Sequence, residues 1–196
     1  MAILPPDVQE ALNKQVGKAL RRDFEKKATL QFKKIKAELI TEFLNHPVTQ
    51  EIRQGPSASN TSNTLSGVSN LFAFIGFEEG DDPIDPILKI FESMDISFGG
   101  EIPMGAKFNI SMPTALDIFS ITPMPWASGR SWAQGIEKGI SGLGYLLRKT
   151  YEPNPPKLRS GQAIQSSVKI RSGGFKNTQY ISALINKYSK KFSQLK

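Results

Sequence analysis

From Asp7 to Asn45 the chain reads DVQEALNKQVGKALRRDFEKKATLQFKKIKAELITEFLN. Its apolar residues fall at Leu12, Val16, Leu20, Phe24, Ala28, Phe32, Ile35, Leu39 and Phe43. Steps of four and three place them on one stripe of a single helix. Pro5 and Pro6 precede it, Asp7 or Asn13 offers a capping oxygen, and Pro47 stops it. Gly17 is the weak point. Unbroken, such a helix measures about 57 Å. A compact chain of 196 residues has a diameter of only ~40 Å. The helix must therefore break or overhang, and an overhanging amphipathic helix needs a partner for its stripe.

Nine basic residues decorate the helix: Lys14, Lys18, Arg21, Arg22, Lys26, Lys27, Lys33, Lys34 and Lys36. Asp7, Glu10, Asp23, Glu25, Glu38 and Glu42 partly balance them. Two readings stand: a solvated face laced with ion pairs, or a face that binds phosphate or a protein partner. The whole chain carries 25 basic against 18 acidic residues, a net +7, which permits a polyanionic partner without requiring one.

Composition excludes more than it selects. There is no cysteine, hence no disulfide, thiol nucleophile or thiolate metal site. His46 is the one histidine, which rules out multi-histidine metal centres. It lies beside Pro47 with no nucleophile elbow nearby, and reads as a helix-end residue. Glu78-Glu-Gly-Asp-Asp-Pro-Ile-Asp85 lacks the alternating register and the twelfth-position glutamate of an EF-hand. The glycine-rich stretches Gly139–Gly144 and Arg171–Phe175 match neither a P-loop nor a dinucleotide fingerprint. The expectation is a protein that is not an enzyme and holds no cofactor or metal. The N-terminal residues lack the pattern of a signal peptide. The apolar run Leu71–Phe77 is far shorter than the ~20 residues of a membrane span, so a soluble protein of a reducing cytosol is expected.

The remainder is organised as one domain over residues 1–196, with the helix at 7–45, a flexible Ser/Asn/Thr/Gly loop at 46–70, and a core at 71–196. Gln54 to Ser69 is expected to be mobile in an isolated subunit and ordered only against a partner. Leu71–Phe77 reads as a buried strand. A short helix is expected within Ile84–Met94, and strands at Ile96–Phe98 and Lys107–Met112 joined by a Gly99-Gly100 turn. Pro113–Phe119 fits a helical turn or an edge strand, and Thr122–Trp126 must be extended. Ser131–Ser141 begins like a helix, but its glycines favour a loop or a strand pair. Glu152–Pro156 is a stiff connector, Ala163–Arg171 a strand, and Gln179–Gln194 a closing helix with Ile181, Leu184, Ile185, Tyr188 and Phe192 on one face. The predicted fold class is α+β: the long N-terminal helix packed on a small curved antiparallel sheet, with a C-terminal helix.

Charge is segregated along the chain. Between Glu78 and Glu101 eight acids face only Lys89, a net −7. Beyond Glu152 there are nine basic residues and no acid, a net +9. Such blocks are unfavourable to concentrate unless the opposite sign lies near. Candidate subunit-interface residues are therefore Glu78, Glu79, Asp81, Asp82 and Asp85 on one side. On the other stand Lys187, Lys190 and Lys191 of the closing helix, or Lys26, Lys27, Lys33 and Lys34 of the first. Pairing within one chain and plain solvation are the competing readings. Nucleic-acid binding is the rival function, since basic residues interleave with Phe175, Tyr180, Tyr188 and Phe192 as in single-strand binders. Helical spacing with Ile181, Leu184 and Ile185 also makes Tyr188 and Phe192 core residues.

Several segments together resemble a known family: Asn45-His-Pro-Val-Thr-Gln-Glu-Ile52, Asn70-Leu-Phe-Ala-Phe-Ile-Gly-Phe77, Asp82-Pro-Ile-Asp-Pro-Ile87, Ser128-Gly-Arg-Ser-Trp-Ala-Gln-Gly-Ile136 and Arg159-Ser-Gly-Gln-Ala-Ile-Gln165. In this order, after a long basic helix, they resemble small virion proteins of contractile-tailed bacteriophages at the neck or tail-completion position. The resemblance implies a structural head–tail connector subunit without catalytic residues. It implies a homo-oligomeric ring, six- or twelve-fold, that touches neighbouring connector or tail proteins, with DNA in the channel as a further contact and no membrane. The implied location is the virion, and the host cytoplasm during assembly.

Overall fold

The computed structural model describes residues 5–65, 70–102, 105–125, 127–138 and 177–195. The first helix, α1, runs unbroken over Pro6–Asn45, 40 residues or about 60 Å, and continues through Gly17. Neither Asp7 nor Asn13 caps it: Pro5 is the cap residue and no side chain bonds the first turn. The stripe expected to face inward does so from Ala28 onward, while Phe24 is only half-buried. Ala28, Phe32, Leu39 and Phe43 are buried, with Ile35 packed beside them.

Pro47 ends α1 by forcing His46 into an extended conformation (φ −64°, ψ 134°). Proline then occupies the first turn of a new helix, α2 (Pro47–Arg53), where its missing N–H costs nothing. The start of the predicted 46–70 loop is thus helical, and it buries Val48, Thr49, Glu51 and Ile52. A single 3-10 turn follows at Gly55–Ser57.

Leu71–Phe77 is not a strand. Leu71–Ile75 is a short helix, α3, because both of its ends are capped. The Asn70 side chain accepts from the Ala73 N–H at 2.9 Å, and Gly76 closes the helix at φ 93°, a left-handed position open to glycine. An apolar run buried on every side carries no period to distinguish helix from strand. The next helix, α4 (Asp85–Glu92), has Pro86 in its first turn as expected. Lys36 of α1 donates to the Glu92 and Met94 carbonyls at 2.6 and 2.8 Å, tying the end of α4 to α1.

Strands β1 (Ile96–Ile102) and β2 (Gly105–Ile110) pair antiparallel. Gly99-Gly100 is not their turn; it lies inside β1, where the register slips between Phe98 and Gly100. Gly100 has φ 136°, so the pair of glycines makes a bulge rather than a reversal. Phe98 meets Phe108 edge-on across the pair and receives Arg21 of α1 over its ring at 4.0 Å. This sets the hairpin against the first helix.

Pro113–Phe119 takes the helical alternative, α5 (Ala115–Ser120), through a capping box between Thr114 and Asp117. Pro123–Met124 forms the short strand β3, paired with β4 (Ala127–Ser131). Trp132–Lys138 is a helix, α6, against the strand pair or loop that its glycines suggested. Ser131 Oγ accepts from the Gln134 N–H at 3.1 Å at its start. Trp132, Ala133 and Ile136 are buried, which outweighs the ~1 kcal/mol cost of Gly135 in a helix. The glycines beyond 138, the Glu152–Pro156 connector and the Ala163–Arg171 strand lie outside the described residues.

The closing helix α7 (Ile181–Ser193) buries all five residues predicted for its inner face. It runs antiparallel to α1, with Phe32 against Phe192 (ring centroids 5.5 Å) and Phe43 against Tyr180 (6.1 Å). Phe43 also meets Phe91 edge-on at 5.2 Å, and Phe77 meets Trp132 edge-on at 5.9 Å. The architecture is α+β: a long helix, a small antiparallel sheet with a bulge, and a closing helix.

Candidate subunit interface

The acidic block covers the turn before α4 and that helix's first turn. Much of it is engaged locally. Asp81 accepts from the Glu78 N–H at 2.9 Å, and Asp82 accepts from the Ile84 and Asp85 N–H groups at 3.2 and 3.1 Å. Asp85 pairs with Lys89 one turn on at 2.6 Å, which raises the lysine above its ordinary 10.5. These carboxylates sit at a helix N-terminus, where the backbone dipole favours them. Glu79 and Asp82 are exposed, while Glu78, Asp81 and Asp85 are half-buried.

Two of the predicted basic partners are committed elsewhere. Lys187 bridges to Glu42 at 2.7 Å and Lys191 to Glu38 at 3.0 Å, both carboxylates belonging to α1. The Tyr188 hydroxyl donates to the same Glu42 at 2.7 Å. Hydrogen bonds from Lys191 and from Lys187 hold Glu38 and Glu42, respectively, below the ordinary 4.5. Antiparallel helices carrying acids at 38 and 42 and lysines at 187 and 191 form a ladder. The four-residue spacings were visible in the chain, but their pairing needed the helix direction. The closing helix is thus joined to its own chain rather than to the acidic block. Lys190, Lys26, Lys27, Lys33 and Lys34 are exposed, and among the described residues none of them forms an ion pair.

Glu51 was not among the candidate residues. It is fully buried in α2, and its carboxylate accepts from the Leu71 N–H at 2.7 Å and the Ser62 N–H at 2.8 Å. Asn70 donates to the Pro56 and Ala58 carbonyls at 2.9 and 3.1 Å. Leu65 is buried in the core. The 54–65 segment is therefore gathered onto α2 and α3 from within the chain. Only a lone acid beside a stretch of polar loop signalled this.

His46 joins α1, α2 and the start of α7. Its Nδ1 accepts from the Val48 N–H at 3.3 Å, and its ring lies 4.8 Å from Tyr180. The Tyr180 hydroxyl shares a 2.7 Å hydrogen bond with Thr49, and burial pushes this phenol well above its ordinary 10.0. Burial lowers His46 below the ordinary 6.5, while the Gln179 backbone and the Glu42 charge pull it back upward. The unfolded chain therefore binds the proton more readily than the folded one. This contribution to stability is complete above 6.5 and is lost as pH falls from there through the lower folded value. Glu38 and Glu42 titrate below 4.5 and act in a separate window. Thermal unfolding should show a falling midpoint between about pH 7 and pH 5, and His46→Asn, which keeps a capping acceptor, should flatten it. An unchanged slope in the variant would rule this assignment out.

Among the described residues no cluster of three or more His, Cys, Asp or Glu is placed to hold a metal ion. No described helix is long and apolar enough to cross a membrane. Comparison with protein-family models, curated proteins and solved structures gives no match to this chain.

Proposed function

We propose that this chain is a structural subunit that assembles with copies of itself, in the manner of a bacteriophage neck or tail-completion ring. The observation that carries this reading is a separation of exposed charge, acidic before α4 and basic along the outer face of α1. Exposed Glu79 and Asp82 stand on the turn before α4, and among the described residues the exposed Lys26, Lys27, Lys33 and Lys34 of α1 form no ion pair. A patch of one sign on one copy and the other sign on the next suits a heterologous contact, which closes into a ring when the rotation allows. The resemblance to neck proteins supports the location at the head–tail junction, with connector or tail proteins as further partners.

The nucleic-acid alternative has lost one support. Tyr180, Tyr188 and Phe192 are buried and offer no face to a base. The lysines of α1 keep that alternative testable. Reversing Asp81, Asp82 and Asp85 to lysine should slow self-assembly and weaken its dependence on salt, while circular dichroism shows a folded monomer. Exposed pairs contribute only about 0–1 kcal/mol each, so the effect is on encounter and orientation. A matching reversal of Lys26, Lys27, Lys33 and Lys34 should restore assembly. Assembly that ignores the acidic reversal rejects the charge argument. Tight binding of a DNA oligomer at physiological salt, falling steeply as salt rises, favours the alternative.

A further inference from the structure

Leu30 is a large apolar residue of α1 that faces away from the core, 61 % exposed. Its neighbours on a helical surface are the residues three and four positions away. In this chain all four are lysine: Lys26, Lys27, Lys33 and Lys34. Each is exposed. Ala28 and Phe32, two positions to either side of Leu30, are buried, so Leu30 and its lysines occupy the face opposite the core. A leucine ringed by four cations is a compact mark: an apolar centre with a positive border.

A second feature has the complementary character. Between the turn before α4 and the Ile121–Pro125 segment lies a cleft of about 400 Å³. Among its described lining residues are four prolines, Pro83, Pro86, Pro123 and Pro125, and proline has no N–H to donate. Trp132 forms buried wall, and among the described lining residues the charged side chains are Asp81 and Asp82. The cleft offers apolar surface and carboxylate acceptors, which suits a surface that brings an apolar group and cationic donors together.

We infer that the α1 face centred on Leu30 docks into the proline-lined cleft of a second copy of this chain. The lysine stems extend over the prolines while their ammonium groups reach Asp81 and Asp82. The contact is between copies because α1 is a continuous helix whose opposite face is buried in its own core. Its outer face cannot turn back onto the cleft of the same chain. The two patches differ, so the contact is heterologous and propagates around a ring. This rests on the self-assembly reading and names the surfaces that carry it.

The absence of cysteine makes the test clean. Two single variants of the full chain, Leu30→Cys and Pro123→Cys, are mixed and oxidised mildly, with Ser97→Cys on the hairpin replacing Pro123→Cys as control. The expected result is a 30–123 disulfide that forms in preference to 30–97 and 30–30. Its formation should slow when Asp81→Asn and Asp82→Asn are added, since asparagine keeps an acceptor oxygen but removes the charge. If the chain assembles by light scattering yet 30–123 is no faster than the control, this interface is wrong and the self-assembly reading survives. A dominant 30–30 product overturns it equally, because that contact is isologous. A chain that stays monomeric at every concentration and salt overturns both.

Discussion

Replacing Glu51 with alanine is expected to lower stability by about 2–6 kcal/mol, because two backbone donors lose their acceptor at about 1–3 kcal/mol each. The Leu71 N–H is the first helical amide after the Asn70 cap of α3, and the Ser62 N–H is the tie that brings the 54–65 segment onto α2. Water cannot easily replace the carboxylate, since Glu51 and Leu71 are fully buried. Against a typical domain stability of about 5–15 kcal/mol, the loss is large. Glutamine retains one acceptor oxygen, so Glu51→Gln should fall between wild type and alanine. Urea unfolding gives the free energy, and limited proteolysis gives the local consequence: cleavage within 54–65 should accelerate in Glu51→Ala more than cleavage in α1. The same digestion decides whether the segment is mobile in the isolated wild-type subunit, as its composition suggests. An alanine variant within ~0.5 kcal/mol of wild type, the range of an ordinary surface change, would show that the carboxylate is not the staple.

The second large effect is expected at Phe43, where truncation to alanine should cost about 3–5 kcal/mol. Phe43 is fully buried and is the ring through which α1 meets both α4, at Phe91, and the residue that precedes α7, Tyr180. Removing it forfeits its own burial and leaves a cavity bounded by two aromatic rings that belong to different segments and cannot both collapse inward. Phe43→Leu keeps most of the volume and should cost clearly less. The midpoint of urea unfolding should fall while its slope stays constant, since the surface exposed on unfolding hardly changes. A loss below ~1 kcal/mol would mean that α4 and α7 are held to α1 by other contacts.

Those two residues illustrate different degrees of legibility. Phe43 belonged to a stripe sustained at steps of four and three, of which Ala28, Phe32, Leu39 and Phe43 are buried and Ile35 packs beside them. Long amphipathic helices declare themselves because every turn repeats the same message. The closing helix was equally plain, with Ile181, Leu184, Ile185, Tyr188 and Phe192 all buried. Glu51 carried no comparable mark. A carboxylate becomes a staple only when tertiary structure brings donors to it, here from residues 62 and 71. Leu71–Phe77 was misread because an apolar run without polar interruptions has no face to reveal. The decision between strand and helix passed to Asn70 and Gly76 at its ends. The Gly99-Gly100 pair was misread as a turn because a bulge and a reversal ask for the same residue.

For the candidate interface, residue type and block were visible in the chain, but pairing was not. Charge counts marked 78–101 as acidic and the C-terminal part as basic, and they left open which lysines were spoken for. The antiparallel approach of α7 to α1 committed Lys187 and Lys191 to Glu42 and Glu38. The same packing turned Lys26, Lys27, Lys33 and Lys34 outward around Leu30.

By itself the sequence determined the long helix, its stop at Pro47, the closing helix, the α+β class and the separation of charge. Each of these depends on local spacing or on the backbone limits of proline, and local interactions are written in neighbouring residues. The tertiary structure alone decided that Glu51 gathers a polar segment and that the last helix is ion-paired to the first. Those outcomes depend on groups 20 residues apart for Glu51 and Leu71 and 153 apart for Glu38 and Lys191. A contact across such a separation exists only once the core has set the directions of the elements that carry it.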